Sequence, residues 1–234
     1  DLADDSYHRW REDLVLIRDG GFDAYRFSIS WSRILHEGTG AVNQKGLDYY
    51  DKLIDGMLQR GIRPFLTCYH WDLPSALQDK GGWMNRDIAG WLADYAAVLA
   101  THFGDRVAAV ATINEPWCVS FLSHYLGVHA PGYRDLRATA RAMHHVLLAH
   151  GAAVGALRAN GAKNIGIVTN LQKIEPIDEK PEHNAAVELY DGIFNGWFLG
   201  GLYKGQYPAA VLKFLDGHLP AGFEKDMATV SVPL

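Results

Sequence analysis

Apolar positions along the chain recur with a helical period, break at glycine and resume with a strand period, and this phrase repeats four times. Tyr7, Trp10, Leu14 and Ile17 form the first helical stripe, with Asp4 to Ser6 as capping candidates and Gly20-Gly21 as the stop. Glycine suits that position because it enters the left-handed cap conformation without a Cβ penalty. A strand is predicted over 24–31. The second stripe, Leu47, Tyr50, Ile54 and Met57, starts near Asn43, ends at Gly61 and leads to a strand over 64–70. Ile88, Trp91, Leu92, Tyr95 and Leu99 make the third, which ends at Gly104 before a strand over 107–114. The fourth helix is expected over 138–160, stopped by Gly161, with its strand over 165–170. A fifth helix over 181–199, a short one over 209–216 and a fifth candidate strand over 228–234 follow. Alternating strands and helices predict a parallel sheet with right-handed crossovers.

Such a sheet either stays open, with helices on both faces, or closes into an eight-stranded α/β barrel. The first strand places Tyr25, Phe27, Ile29 and Trp31 on one face and Ala24, Arg26, Ser28 and Ser30 on the other. An open, doubly covered sheet wants both faces apolar, whereas a barrel strand can be polar inside near its C-terminal mouth. No G-x-G-x-x-G turn follows any strand, as a dinucleotide-binding sheet would want. The expected fold is therefore an α/β TIM (β/α)8 barrel. The strand count is short of eight, so residues 1–234 read as one domain, a partial barrel of four to five βα units whose first and last strands are absent. Either a longer chain or a second copy must close such a ring, because open strands expose unpaired hydrogen-bonding edges.

Composition narrows the function. Twenty-two basic and twenty-seven acidic residues give a net charge of −5 without any basic block, which argues against nucleic acid or an anionic membrane as partner. No apolar run reaches the ~20 residues needed to span a bilayer. Nothing marks export, so a cytoplasmic location is the default expectation. Cys68 and Cys118 make no disulfide framework and are expected to be free, buried thiols. His144, His145 and His150 lie on one helix without chelating spacing, so no metal or cofactor is implied.

In a barrel the chemistry belongs at the C-terminal ends of the strands. The second strand ends in Tyr69-His70-Trp71-Asp72-Leu73-Pro74, the third in Thr112-Ile113-Asn114-Glu115-Pro116-Trp117, the fourth in Thr169-Asn170. Aromatic faces beside short polar groups suit carbohydrate, and a strand-end glutamate could protonate a glycosidic oxygen. Each residue also has a plainer reading: Glu115 as a helix cap, His70 as a satisfied barrel histidine, Trp71 and Trp117 as core. Arg26, pointing inward, needs a carboxylate partner.

Three segments taken together resemble glycoside hydrolase family 1: 25–31 (YRFSISW), 69–74 (YHWDLP) and 112–116 (TINEP). Gly127 to Gly132, His150 in its Leu-Leu-Ala-His-Gly setting, 195–198 (NGWF) and 205–208 (GQYP) fit the same family in the same order. The resemblance implies a retaining β-glycosidase, most simply a β-glucosidase acting on small β-glucosides or cello-oligosaccharides. Such enzymes use two carboxyl groups about 5–5.5 Å apart, one acid/base and one nucleophile. By resemblance Glu115 is the acid/base and Asn114 binds the sugar 2-hydroxyl. His70 and Trp71 hold the 3-hydroxyl, and Arg26 orients the nucleophile. Trp117, His129 and Asn170 border the leaving group. The family's nucleophile lies in a Glu-Asn-Gly context that this sequence lacks, so these residues alone are expected to be inactive. A 6-phospho-β-glycosidase and a catalytically silent carbohydrate-binding half-barrel, possible also as a homo-oligomer, are the alternative readings.

Overall fold

The computed structural model describes residues 3–234, and its elements follow the predicted alternation. Helix α1 (Ser6–Asp19) leads into β1 (Ala24–Ser28), a helical turn α2 (Trp31–Ile34), α3 (Gln44–Leu58) and β2 (Arg63–Tyr69). Next come α4 (Ser75–Asp79), α5 (Ile88–Phe103), β3 (Ala109–Asn114), α6 (Leu136–Ala159) and β4 (Ile165–Val168). The C-terminal part is helical: α7 (Pro181–Asp191), α8 (Trp197–Lys204), α9 (Ala209–Phe214) and α10 (Met227–Val230). All strands are parallel, in the order β1-β2-β3-β4.

The sheet has one dry face and one open face. Phe27, Leu66, Cys68 and Val110 are buried toward the helices, while Arg26 and Ser28 are exposed on the other face. Arg26 stands opposite Phe65, and Phe65 opposite Ala109, which makes one inward row across three strands. The dry layer is aromatic: Trp31 stacks on Tyr95 with ring centroids 4.8 Å apart, and both are fully buried. Each side chain of this size contributes about 1.5–3 kcal/mol when removed from water. The Tyr95 hydroxyl lies 3.0 Å from the Ile29 carbonyl and 3.2 Å from that of Cys68, so its one O–H group ties down the ends of β1 and β2.

Two expectations need correction. The first strand stops at Ser28 rather than 31, because Trp31 turns into the helix layer and donates its indole N–H to the Gly38 carbonyl at 2.9 Å. Residues 228–234 form no fifth strand; 227–230 are helical and lie on α6 and α8. Alternating Ala228, Val230 and Val232 suit a strand, but Val230 is fully buried. The close approach depends on Gly151, where a Cβ would sit 1.9 Å from the Thr229 carbonyl oxygen. Among the described residues the barrel portion therefore holds four strands. The fifth predicted helix runs on to Lys204, with a π segment at Gly192–Gly196 between α7 and α8. Among the described residues no helix is long and apolar enough to cross a membrane.

A buried polar clamp fixes this C-terminal part. Asp226 accepts from Arg86 and from His144 Nε2, the latter at 2.9 Å, while His144 Nδ1 is 2.9 Å from the Tyr207 hydroxyl. Arg86 and His144 hold the Asp226 carboxyl down at about 2. Because the carboxylate only accepts, the Nε2–H tautomer of His144 donates to it and Nδ1 accepts from Tyr207. Asp226→Ala is expected to destabilise the chain by about 1–3 kcal/mol, since it strands a buried imidazole N–H. The folded pKa is depressed, so this contribution is complete above about pH 4 and vanishes as pH falls through about 2. Urea unfolding of both proteins from pH 7 to 2 checks this: the midpoints should converge only at the acid end.

Candidate active site

Side chains at the C-terminal ends of all four strands converge on Asn114 and Glu115. Strict alternation would place Asn114 on the helix side with Thr112, whose hydroxyl lies 2.7 Å from His150 Nδ1 on α6. Between Ala111 and Asn114 the register against β4 shifts by one residue: Ala111 faces Gly166, yet Asn114 faces Val168. Such an irregularity re-aims a side chain next to it, and here it turns Asn114 to the inner face. There its amide oxygen accepts from the Arg26 guanidinium at 3.0 Å. Its backbone carbonyl accepts from the Trp71 indole N–H, also at 3.0 Å.

The backbone at this point is strained. Trp71 (φ 77°) and Glu115 (φ 51°) both occupy the left-handed region, which costs a side-chain-bearing residue about 1–2 kcal/mol. Glu115 is held there by its own N–H, which donates to the Val168 carbonyl at 2.7 Å, and by its carbonyl, which accepts from the amides of Cys118 and Val119. Its side chain leaves the strand at the start of a helical segment that widens into a π turn at Cys118–Leu122. Local π geometry is frequent at functional sites.

His70 is half-buried beside the pair and makes no side-chain hydrogen bond among the described residues. Burial lowers its pKa, Arg26 lowers it further, and the charges of Glu115 and Asp72 oppose the change. It is therefore a neutral imidazole near pH 7, able to donate or accept. The Asp72 carboxylate accepts from the Trp31 amide at 3.2 Å, which pins the loop carrying His70 and Trp71; burial raises its pKa. Beyond Trp71, the His129 ring lies 4.9 Å from the indole, and both line a cleft of about 550 Å³ with Tyr69, Trp83 and Val119. Asn170 points its amide N–H toward the Cys118 sulfur at 3.7 Å.

Of the residues singled out in the sequence, Arg26, His70, Trp71, Asn114, Glu115, His129 and Asn170 are gathered here. Trp117 is not: it is buried, with its ring 4.3 Å from that of Phe194 and 5.8 Å from that of Phe121. Arg26 has no carboxylate within ion-pair distance among the described residues and is paired with Asn114 instead. Trp71 already donates its N–H within the protein, so it offers a ring face rather than a polar contact. The sequence reading missed Asp72 as an anchor and Cys118 as a neighbour of Glu115. The three-residue spacing of Glu115 and Cys118 at a helix start was the available signal.

The sequence profile of glycosyl hydrolase family 1 matches residues 1–232. The chain belongs to this family. It is 51% identical to β-glucosidase A of Thermotoga maritima over 98% of its own length and 52% of that protein. It is 44% identical to a β-glucosidase of an Agrobacterium species over its whole length and 51% of that protein. The solved family 1 β-glucosidase of Thermotoga maritima superposes with a TM-score of 0.93, over 97% of this chain and 51% of that one. The same enzyme has been solved in complex with deoxynojirimycin. The chain thus spans about half the length of the curated relatives it matches, and its four βα units are part of a family 1 (β/α)8 barrel.

The electrostatic coupling within this family 1 site can be read directly. Glu115→Gln removes a charge that raises the His70 pKa, so His70 should titrate at lower pH. Arg26→Gln removes a charge that lowers it, so His70 should titrate at higher pH. Imidazole NMR titration of the two variants against the parent checks both signs; shifts in the same direction would contradict the arrangement.

Proposed function

We propose that this chain is the acid/base-bearing part of a retaining β-glucosidase that releases terminal β-linked glucosyl residues from small β-glucosides or cello-oligosaccharides. The observation that carries the reading is the fixed Asn114-Glu115 pair at the mouth of the sheet. The Asn114 amide oxygen is committed to Arg26, so its NH2 group is left to donate to a sugar hydroxyl. The 2-hydroxyl is the natural partner, since that contact strengthens as the oxocarbenium-like transition state develops. His70, neutral and without a protein partner, binds the 3-hydroxyl, and the Trp71 ring packs on the apolar C–H surface of the sugar.

Glu115 gives its proton to the departing glycosidic oxygen in the first step. It then takes one from water as the glycosyl-enzyme intermediate is hydrolysed. The carboxylate that forms that intermediate lies outside the residues described. Arg26, exposed on the inner face, orients it across the barrel axis. His129 and Asn170 border the leaving-group side, and Trp117 backs that wall from within the core. The relatives' names support the glucosidase assignment, and the convergence of the strand-end side chains on Asn114 and Glu115 supports the roles.

Leaving-group dependence tests the assignment. In the full-length protein Glu115→Gln should slow hydrolysis of cellobiose by about 10²–10⁴-fold. An activated dinitrophenyl glucoside, which departs without proton assistance, should be cleaved in the first step almost as fast as by the parent. Equal slowing of both substrates would remove Glu115 from the acid role. Residues 1–234 alone should release no product from either.

A further inference from the structure

The Glu115 carboxyl has a neighbour to which nothing above gives a role. Cys118 Sγ lies 3.3 Å from Glu115 Oε2, with the thiol as donor, and Asn170 Nδ2 approaches the same sulfur at 3.7 Å. The three groups form a directed chain: amide N–H to sulfur, S–H to carboxylate. It joins the end of β4 to the end of β3. The position is not an accident of a loose side chain, because the Cys118 amide also donates to the Glu115 carbonyl at 2.9 Å and the residue is only 6% exposed. Burial and the adjoining carboxylate push the thiol up to about 12, so it stays an S–H donor throughout the range in which a glycosidase works. Cys68, by contrast, is fully buried, its sulfur has no hydrogen-bond partner among the described residues, and it packs as an apolar group.

We propose that Cys118 is a positioning residue for the acid/base carboxyl: its S–H occupies Oε2, so that the transferable proton resides on Oε1, the oxygen turned toward the glycosidic bond. This rests on Glu115 being the acid/base. The terminal carboxyl torsion of glutamate is broad and nearly two-fold, so an unassisted Glu115 would carry its proton on either oxygen. A donor fixed at one of them removes that ambiguity. Hydrogen bonding to the ionised form also favours it. A thiol, being a weak donor, does so only slightly. Cysteine thereby orients the carboxyl without making it too acidic to protonate a leaving group. Serine, a stronger donor of similar size, would overcorrect.

The other groups around Glu115 come from other elements, and of these only Asn170 touches residue 118. His70 comes from the end of β2, and Arg26 from β1, where it bonds Asn114. Asn170, uncharged, comes from the end of β4. Asp72 acts on this cluster through His70. Differences among variants at residue 118 therefore report the thiol together with its Asn170 contact.

Two measurements decide the matter. In the chain described here, infrared spectroscopy resolves the S–H stretching bands, and the band lost in Cys118→Ala is that of Cys118. In Glu115→Ala, with Cys118 intact, that band should move toward the frequency of a free thiol while the Cys68 band stays put. A Cys118 band that does not move overturns the contact, whether or not the Cys118 variant folds. In the full-length enzyme the alkaline limb of kcat/KM reports protonation of the acid/base. Cys118→Ser should bring this limb down by about 0.3–0.5 pH unit and Cys118→Ala should raise it, the size expected of one weak hydrogen bond. Cys118→Ala should also lose several-fold more activity on cellobiose than on a dinitrophenyl glucoside. Lower thermal stability or kcat with an unmoved limb and unchanged leaving-group dependence would make Cys118 merely structural and overturn the inference. If the full-length parent hydrolyses neither substrate, the glucosidase reading fails, and the infrared result still decides whether the thiol holds the carboxylate.

Discussion

Asn114 holds the site together because its two oxygen atoms are claimed by different strands. Arg26 from β1 takes the amide oxygen, and Trp71 from the end of β2 takes the backbone carbonyl. On the third side the next residue, Glu115, donates its amide to Val168 of β4. Three strand ends are thus tied to one dipeptide. The strain at Trp71 and Glu115, about 1–2 kcal/mol each, is comparable to the net worth of one or two such hydrogen bonds, about 1 kcal/mol apiece. The left-handed backbone persists because several contacts enforce it together. Loss of any one would let Glu115 relax to an ordinary strand conformation and move its carboxyl off the inner face.

The positions of the elements were legible because their signals were redundant. A long apolar stripe, a glycine stop and a following β-rich run agree for each of the four βα units, so the strands begin within two residues of expectation. The errors fall where one signal stood alone. The alternation of 24–31 continues past Ser28, but Trp31 finds a better partner in Tyr95 than any position on a strand could offer. In 228–234 the short alternation carried no partner strand, and packing against α6 at Gly151 decided for helix.

For the site, the strand-end rule located the right residues but not their pairings. That Arg26 meets Asn114 follows from a one-residue slip of β3 against β4, a property of two strands some fifty residues apart. No local pattern encodes it. Trp117 shows the converse: its neighbour Glu115 turns to the mouth while it goes into the core, because the π-widened turn that begins at Cys118 directs the indole onto Phe194. A motif lists residues in order; it does not say which of them the next turn of helix carries inward.

Stability and chemistry are segregated across the sheet. The large apolar side chains lie between the strands and the helices, and the clamp of Asp226, Arg86 and His144 closes the far side of that layer. The inner face carries Arg26 and Ser28 exposed and contributes little to this core. A barrel divided in this way can vary its inner polar residues without losing the packing that positions them. Closure changes the balance inside. Once water is excluded, the charge of Arg26 acts through a lower dielectric. The geometry that aims Glu115 is already complete in these four strands, so the proposed acid role would draw its electrostatics, and not its aim, from closure of the ring.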